Sequence, residues 1–233
     1  MRIRKTIFGR QKLLSPPLFW YNAADNTELL LLRDMSGNSN NGTWASNITY
    51  RSKKYTTSSP YTYYNHFIKY TCPISLGELF CDAFNFFTIT AIYNLDTGGN
   101  DVGARGVIFR YGTGTDSDCN LCLYYEGVAS GKHKLMINVR GTVTQIWSTS
   151  NNGGGSPYFV RISWNGSILL VRYRSTDFII PVGTNPKIIG LNLEGGINFK
   201  GEIDEISGYN YGMTISELNR LSIQLDLASN VIR

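Results

Sequence analysis

The chain has 233 residues, 42% hydrophobic and 13% aromatic but only 17% charged, which supplies the apolar mass for a sizeable core and argues against a disordered chain. Its 24 Gly and 15 Tyr, with abundant Ser, Asn and Thr, suit short strands joined by turns and disfavour a helical bundle. The net charge is +5, and the excess sits at the start: removing Arg2, Arg4, Lys5, Arg10 and Lys12 from the 22 basic residues leaves 17 against 17 acidic ones.

Residues 1–17 are read as a basic arm, closed by the extended break Ser15-Pro16-Pro17 that no helix crosses. Cations without opposing carboxylates suit an acidic partner surface. The arm is therefore expected to dock on protein subunits of an assembly; nucleic acid is the less favoured partner, and a solvated tail is the alternative. The stretch from Lys5 to Arg10 offers no apolar h-region and no small-residue cleavage site, so synthesis in a cytoplasm without a signal peptide is expected. The apolar run Leu29 to Leu32 stops at Arg33, far short of a membrane span. On that reading the Asn-x-Ser/Thr triplets at Asn41, Asn47 and Asn165 are not glycan acceptors.

Along the body, Leu18 to Asn22 reads as a short strand, and Asp34 to Gly42 as a built loop whose Asp, Asn and Gly density specifies Asx-turns and positive-φ positions. Alternation of apolar and polar residues then predicts strands over 86–95, 106–111, 121–125, 134–140, 143–147, 158–164, 168–173, 187–191 and 201–209. Strands at this spacing, almost without helical period, mean a sandwich or barrel. The one helix predicted opens at Thr214-Ile215-Ser216-Glu217, a capping box, with Leu218, Leu221 and Leu225 at helical spacing behind it; it is expected to close the sandwich.

Three segments together resemble the laminin-G-like members of the concanavalin A-like lectin/glucanase superfamily. Asp34-Met35-Ser36-Gly37-Asn38 looks like that family's loop after the first strand, and Phe87-Thr88-Ile89-Thr90-Ala91 like one of its central strands, with Ile92 where Trp is usual. Gly201-Glu202-Ile203-Asp204-Glu205-Ile206, followed by Tyr209-Asn210 and the capped helix, resembles its closing strand and terminal helix. The chain departs from the pattern in the middle, where Tyr158-Phe159 stands for Trp-His and Arg174-Ser175-Thr176 for an Asp-Gly-Lys turn. The resemblance implies an all-β, antiparallel two-sheet jelly-roll sandwich over residues 18–233, ending in one short helix.

Several chemistries bear on these residues. Carboxylates at i, i+2 and i+4 of one strand would flank a glycosidic bond; here Glu202 and Asp204 are read as sharing a face, with Glu205 pointing away, but i+4 is Ile206, so no enzyme activity is expected. His66 and His133 lack a neighbouring nucleophile motif and are read as solvent-facing or structural. Cys119 and Cys122 have zinc-knuckle spacing without a second close pair; with Cys72 and Cys81 they are read as reduced thiols. No cofactor is required. The resemblance allows a structural calcium at Asp34 and Asp204, against the alternative that Asp34 caps its own turn. Tyr61, Tyr63, Tyr64, Tyr124 and Tyr125 are candidates for a glycan platform or a protein interface.

Two functions fit. The first is a non-enzymatic structural or adhesion module of a large assembly, most readily a phage virion component such as a decoration, fibre or tail-associated protein, docking through Arg2, Arg4, Lys5, Arg10 and Lys12. The alternative is a stand-alone bacterial carbohydrate-binding, lectin-like module that takes surface glycans.

Overall fold

In the computed structural model the described residues are 15–22, 33–44, 49–54, 64–69, 74–75, 87–95, 102–111, 121–128, 132–139, 141–148, 158–165, 168–180, 193–195 and 201–221. Their strands, in chain order, are β1 (Phe19–Asn22), β2 (Thr43–Trp44), β3 (Thr49–Lys54), β4 (Tyr64–Lys69), β5 (Ile74–Ser75), β6 (Phe87–Leu95), β7 (Arg105–Tyr111) and β8 (Leu121–Val128). They continue as β9 (Lys132–Val139), β10 (Thr142–Ser148), β11 (Tyr158–Trp164), β12 (Leu169–Tyr173), β13 (Thr176–Ile180), β14 (Leu193–Gly195) and β15 (Gly201–Tyr209). One sheet runs β13-β12-β11-β6-β15-β4-β3 with β1 added on β15, and the other runs β10-β9-β8-β7-β14-β5-β2. All pairings are antiparallel, so the chain is an all-β two-sheet sandwich with, among the described residues, one short C-terminal helix.

Alternation puts every second residue of each strand between the sheets. Phe87, Ile89, Ala91 and Tyr93 of β6 line the inner face with Val160 and Ile162 of β11 and Val171 of β12. They meet Leu121, Leu123 and Tyr125 of β8 and Leu135, Ile137 and Val139 of β9. Bulges at Ile108 and Ile146 add one inward residue each, and both side chains join this core.

The first and last strands are neighbours, as expected of a jelly roll: Phe19 pairs with Gly208 and Asn22 with Glu205. A Cβ on Gly208 would run into the Phe19 ring, so glycine is what allows that ring to lie flat on β15. The loop from Asp34 lies on β1 in turn. Asp34 Oδ1 accepts from Trp20 N (2.8 Å) and Ser36 N (2.9 Å), while Oδ2 accepts from Ser36 Oγ (2.7 Å) and Asn40 N (2.9 Å). Gly37 and Ser39 take the positive φ that the composition predicts.

The helix covers residues 215–221 and its capping box forms in both directions: Thr214 N donates to Glu217 Oε2 (2.9 Å), and Glu217 N to Thr214 Oγ1 (3.3 Å). It does not close the gap between the sheets. Leu218 and Leu221 pack with Met213, Tyr209 and Leu170 on the outer face of the β6 sheet, forming a second, smaller core. That face can take a helix because Thr88 and Ser163 meet the backbone of the incoming segment: Met213 N donates to Ser163 Oγ (2.6 Å), and Ser163 Oγ donates to Met213 O (2.8 Å). No helix among the described residues is long and apolar enough to cross a membrane.

Candidate functional site

At one end of the sandwich six aromatic side chains from both sheets form a continuous row. Tyr158 is paired with Tyr93 across β11 and β6, and their rings stack at 5.4 Å. Tyr173 on β12 continues the row at 6.1 Å from Tyr158. From the opposite sheet Trp147 approaches both, at 5.7 Å from Tyr158 and 5.4 Å from Tyr173, and His133 and Tyr125 follow edge-on behind it. Burial holds the Tyr93, Tyr158 and Tyr173 hydroxyls above their usual range, with the Arg174 guanidinium offsetting part of each shift. These hydroxyls therefore stay protonated, and they are hydrogen-bonding groups rather than bases.

Arg174 caps the row. It opens the two-residue turn between β12 and β13, where Tyr173 pairs with Thr176, and it carries φ of 54°. Hairpin turns of this length favour Gly, Asn or Asp at such a position, and an arginine there costs about 1 kcal/mol of backbone strain. Its carbonyl accepts from Arg161 Nη2 (3.1 Å), a buried guanidinium that also donates to Leu218 O (3.2 Å) and so ties the turn to the helix. The Arg174 guanidinium lies 5.1 Å from the Trp147 ring centroid, 5.3 Å from that of Tyr158 and 5.8 Å from that of Tyr173, each within cation–π range. Trp147 is half-buried and Arg174 is exposed, so these two form the solvent-facing part. The tyrosines and His133 are the buried floor. Burial pulls the His133 pKa down, and its Nε2 has no hydrogen-bond partner.

Of the residues singled out in the sequence, Tyr125 and His133 fall in this row, as buried members. Tyr125 is a core side chain, and Tyr124, on the other face of the same strand, is equally enclosed beside Val107, Cys122 and Met136, with Arg105 over its ring. Each is 1% exposed, so neither offers the open ring face that a platform needs, because both faces of β8 are covered. Tyr61 and Tyr63 lie outside the described residues, as do Arg2, Arg4, Lys5, Arg10 and Lys12, and Tyr64 is described only as the first residue of β4. Cys122 is a free buried thiol, and His133 is structural rather than solvent-facing.

Asp34 is the turn-capping carboxylate of the second sequence reading, with all four of its contacts taken by N–H and O–H donors. At Asp204 the structure departs from the strand alternation assumed above. Ile203 pairs with Tyr93 and Glu205 with Ile92, so Asp204 is the extra residue of a β-bulge; the side chains of Glu202 and Asp204 lie outside the described residues. Ile206, where a third catalytic carboxylate would stand, is in the core. Among the described residues no three His, Cys, Asp or Glu side chains group as a metal site. Among the carboxylates whose burial is described, Glu205 is enclosed, 6% exposed on the outer face next to Trp20.

Trp147, Tyr173 and Arg174 belong to no site motif read in the sequence. The signal that marks them is the departure at Arg174-Ser175-Thr176, an arginine in a turn where the resembling family has Asp-Gly-Lys.

Two antiparallel sheets sharing one core, with a polar-capped aromatic row at one end, define a two-sheet β-sandwich. No family model and no curated protein matches the sequence. Solved structures do match in fold. Domain 4 of a GH43 extracellular arabinanase from Geobacillus stearothermophilus, in complex with arabinotriose, is similar with a TM-score of 0.60 and 16% identity, over 88% of this chain and 97% of that one. A sialidase from Trypanosoma rangeli, in complex with sialic acid, has a TM-score of 0.61 and 12% identity over 89% of this chain and 33% of that one. The binding domain of a botulinum neurotoxin, in complex with rat synaptotagmin II, has a TM-score of 0.58 and 13% identity over 90% of this chain and 52% of that one. This chain thus spans a whole arabinanase domain, but only about half of the toxin chain and a third of the sialidase. At these identities the likeness is one of fold.

Proposed function

We propose that the chain is a non-enzymatic, lectin-like carbohydrate-binding module that takes its glycan at the Arg174–Trp147 end of the sandwich. The observation that carries this reading is the aromatic row capped by an exposed guanidinium. A saccharide has an apolar ring face and a polar rim, and a half-buried indole beside a fork of N–H donors offers both complements. Support comes also from the arabinanase domain, which is alike over nearly its full length and is complexed with an oligosaccharide.

The reading as a virion component rests on the five N-terminal cations, whose partner would be another subunit. It differs from the glycan reading in what the isolated protein does. On a glycan array the isolated chain is expected to bind a defined set of saccharides and to be displaced by the free sugar. Failure to bind any glycan, with tight retention on a subunit of an assembly, would overturn the proposal in favour of the docking role.

A further inference from the structure

The geometry points to an acidic saccharide as the ligand, a uronate-type sugar whose carboxylate pairs with Arg174. This rests on the glycan-binding reading above and narrows it.

A guanidinium keeps its charge at every physiological pH, and a fixed cation at a site is matched by an anion somewhere. Within the hairpin 169–180 the only acidic residue is Asp177. Arg172, its cross-strand partner, holds both Asp177 oxygens at 2.6 and 2.7 Å. Arg161, the other guanidinium nearby, points at backbone carbonyls. Among the described residues Arg174 has no carboxylate at ion-pair distance, and its face is occupied by aromatic rings that hold it in place without neutralising it. It hydrogen-bonds the Tyr158 hydroxyl, and a guanidinium's five N–H donors leave others for a ligand. A planar carboxylate meets that fork with two parallel charge-assisted hydrogen bonds, about twice as strong as the neutral bonds a hydroxyl gives.

The backbone argues the same way. A glycine at position 174 would adopt φ of 54° without strain, and here the turn carries an arginine in a left-handed conformation instead. The strain places the guanidinium over Trp147, the half-buried ring on which the sugar's C–H face can rest. The pinned carbonyl fixes the turn that carries it.

The test is affinity electrophoresis of the full chain in gels containing polygalacturonate, neutral arabinan or dextran sulfate, at low and high salt. Wild type is compared with Arg174→Gly and Arg174→Lys. Glycine suits the backbone at this position, so Arg174→Gly is expected to keep the wild-type thermal melt within a few degrees. Retention by polygalacturonate should fall about tenfold or more in Arg174→Gly and by less in Arg174→Lys, which keeps the charge but loses the fork. Retention by dextran sulfate, which the N-terminal cations alone can supply, should be the same in all three proteins. Arabinan retention matching that of polygalacturonate, unchanged in Arg174→Gly, would overturn the acidic-sugar inference and leave the glycan reading intact. An equal loss on dextran sulfate would overturn it as general charge attraction. No retention on any of the gels would remove both.

Discussion

Glu205 sits on the last strand facing the indole of Trp20. Burial pushes its carboxyl up to about 7, and the neighbouring indole offsets only part of that. Neither Trp20 Nε1 nor Glu205 Oε1 completes a well-formed hydrogen bond, so at Oε1 the charged form has nothing to replace its lost water. A carboxyl whose pKa is higher folded than unfolded holds its proton more tightly in the native state. Stability from this group is thus complete below the unfolded value near 4.5 and is lost as pH rises toward 7. Glu205→Gln should be close to wild type at pH 4 and more stable at pH 8, by up to about 3 kcal/mol, in urea melts at the two pH values. A constant difference across that range would mean the carboxyl titrates normally. Gly208 makes the opposite kind of prediction. Adding a methyl there forces the buried Phe19 ring aside, so Gly208→Ala should cost about 1–3 kcal/mol and be partly rescued by Phe19→Leu, which yields space.

At the scale of elements, the C-terminal helix depends on two buried hydroxyls more than on its own length. Seven described helical residues are too few for a helix that stands alone in water. What holds it is the Leu218–Leu221 face on Tyr209 and Leu170, and the backbone of Met213 bonded to Ser163. Ser163→Ala leaves the buried Met213 carbonyl without that donor, while Met213 N keeps Thr88 Oγ1 (3.1 Å), at a cost of about 1–3 kcal/mol. Thr214→Ala removes an exposed cap and should cost about 1 kcal/mol. Hydrogen exchange over residues 213–221 should rise in both variants, and more in Ser163→Ala. If the order is reversed, the cap rather than the sheet contact anchors the segment.

Over the whole molecule, what was legible in the sequence and what was not divides along the same physical line. Strands such as Tyr158–Trp164 and Gly201–Tyr209 were readable to the residue, because a buried inner face imposes alternation on each strand separately. Thr176–Ile180 was missed, since an arginine occupies the turn position where glycine would have announced a hairpin. The bulge at Asp204 was invisible because it exists only relative to β6. The aromatic row draws on six strands and was scattered until register brought it together. The long-range contact that could be foreseen was the pairing of β1 with β15, the first and last described strands, and it supports the most global prediction. Leu18 N donates to Gly208 O (2.7 Å), and Leu18 O accepts from Asn40 Nδ2 (2.7 Å). Asp34 binds Trp20 N on the same strand, so the loop, β1 and β15 form one laced unit. Asp34→Ala strips four donors of their acceptor at once and should cost about 1–3 kcal/mol, since some of those donors turn to water. Loosening β1 also uncovers the indole of Trp20 over Glu205, so its fluorescence should shift to the red before the global melt. A carboxylate already committed to four hydrogen bonds has no oxygen left for a cation, and a chelator is therefore expected to leave the wild-type melt unchanged. A drop in the wild-type melting temperature with chelator, absent in Asp34→Ala, would show instead that a calcium ion competes successfully for those oxygens.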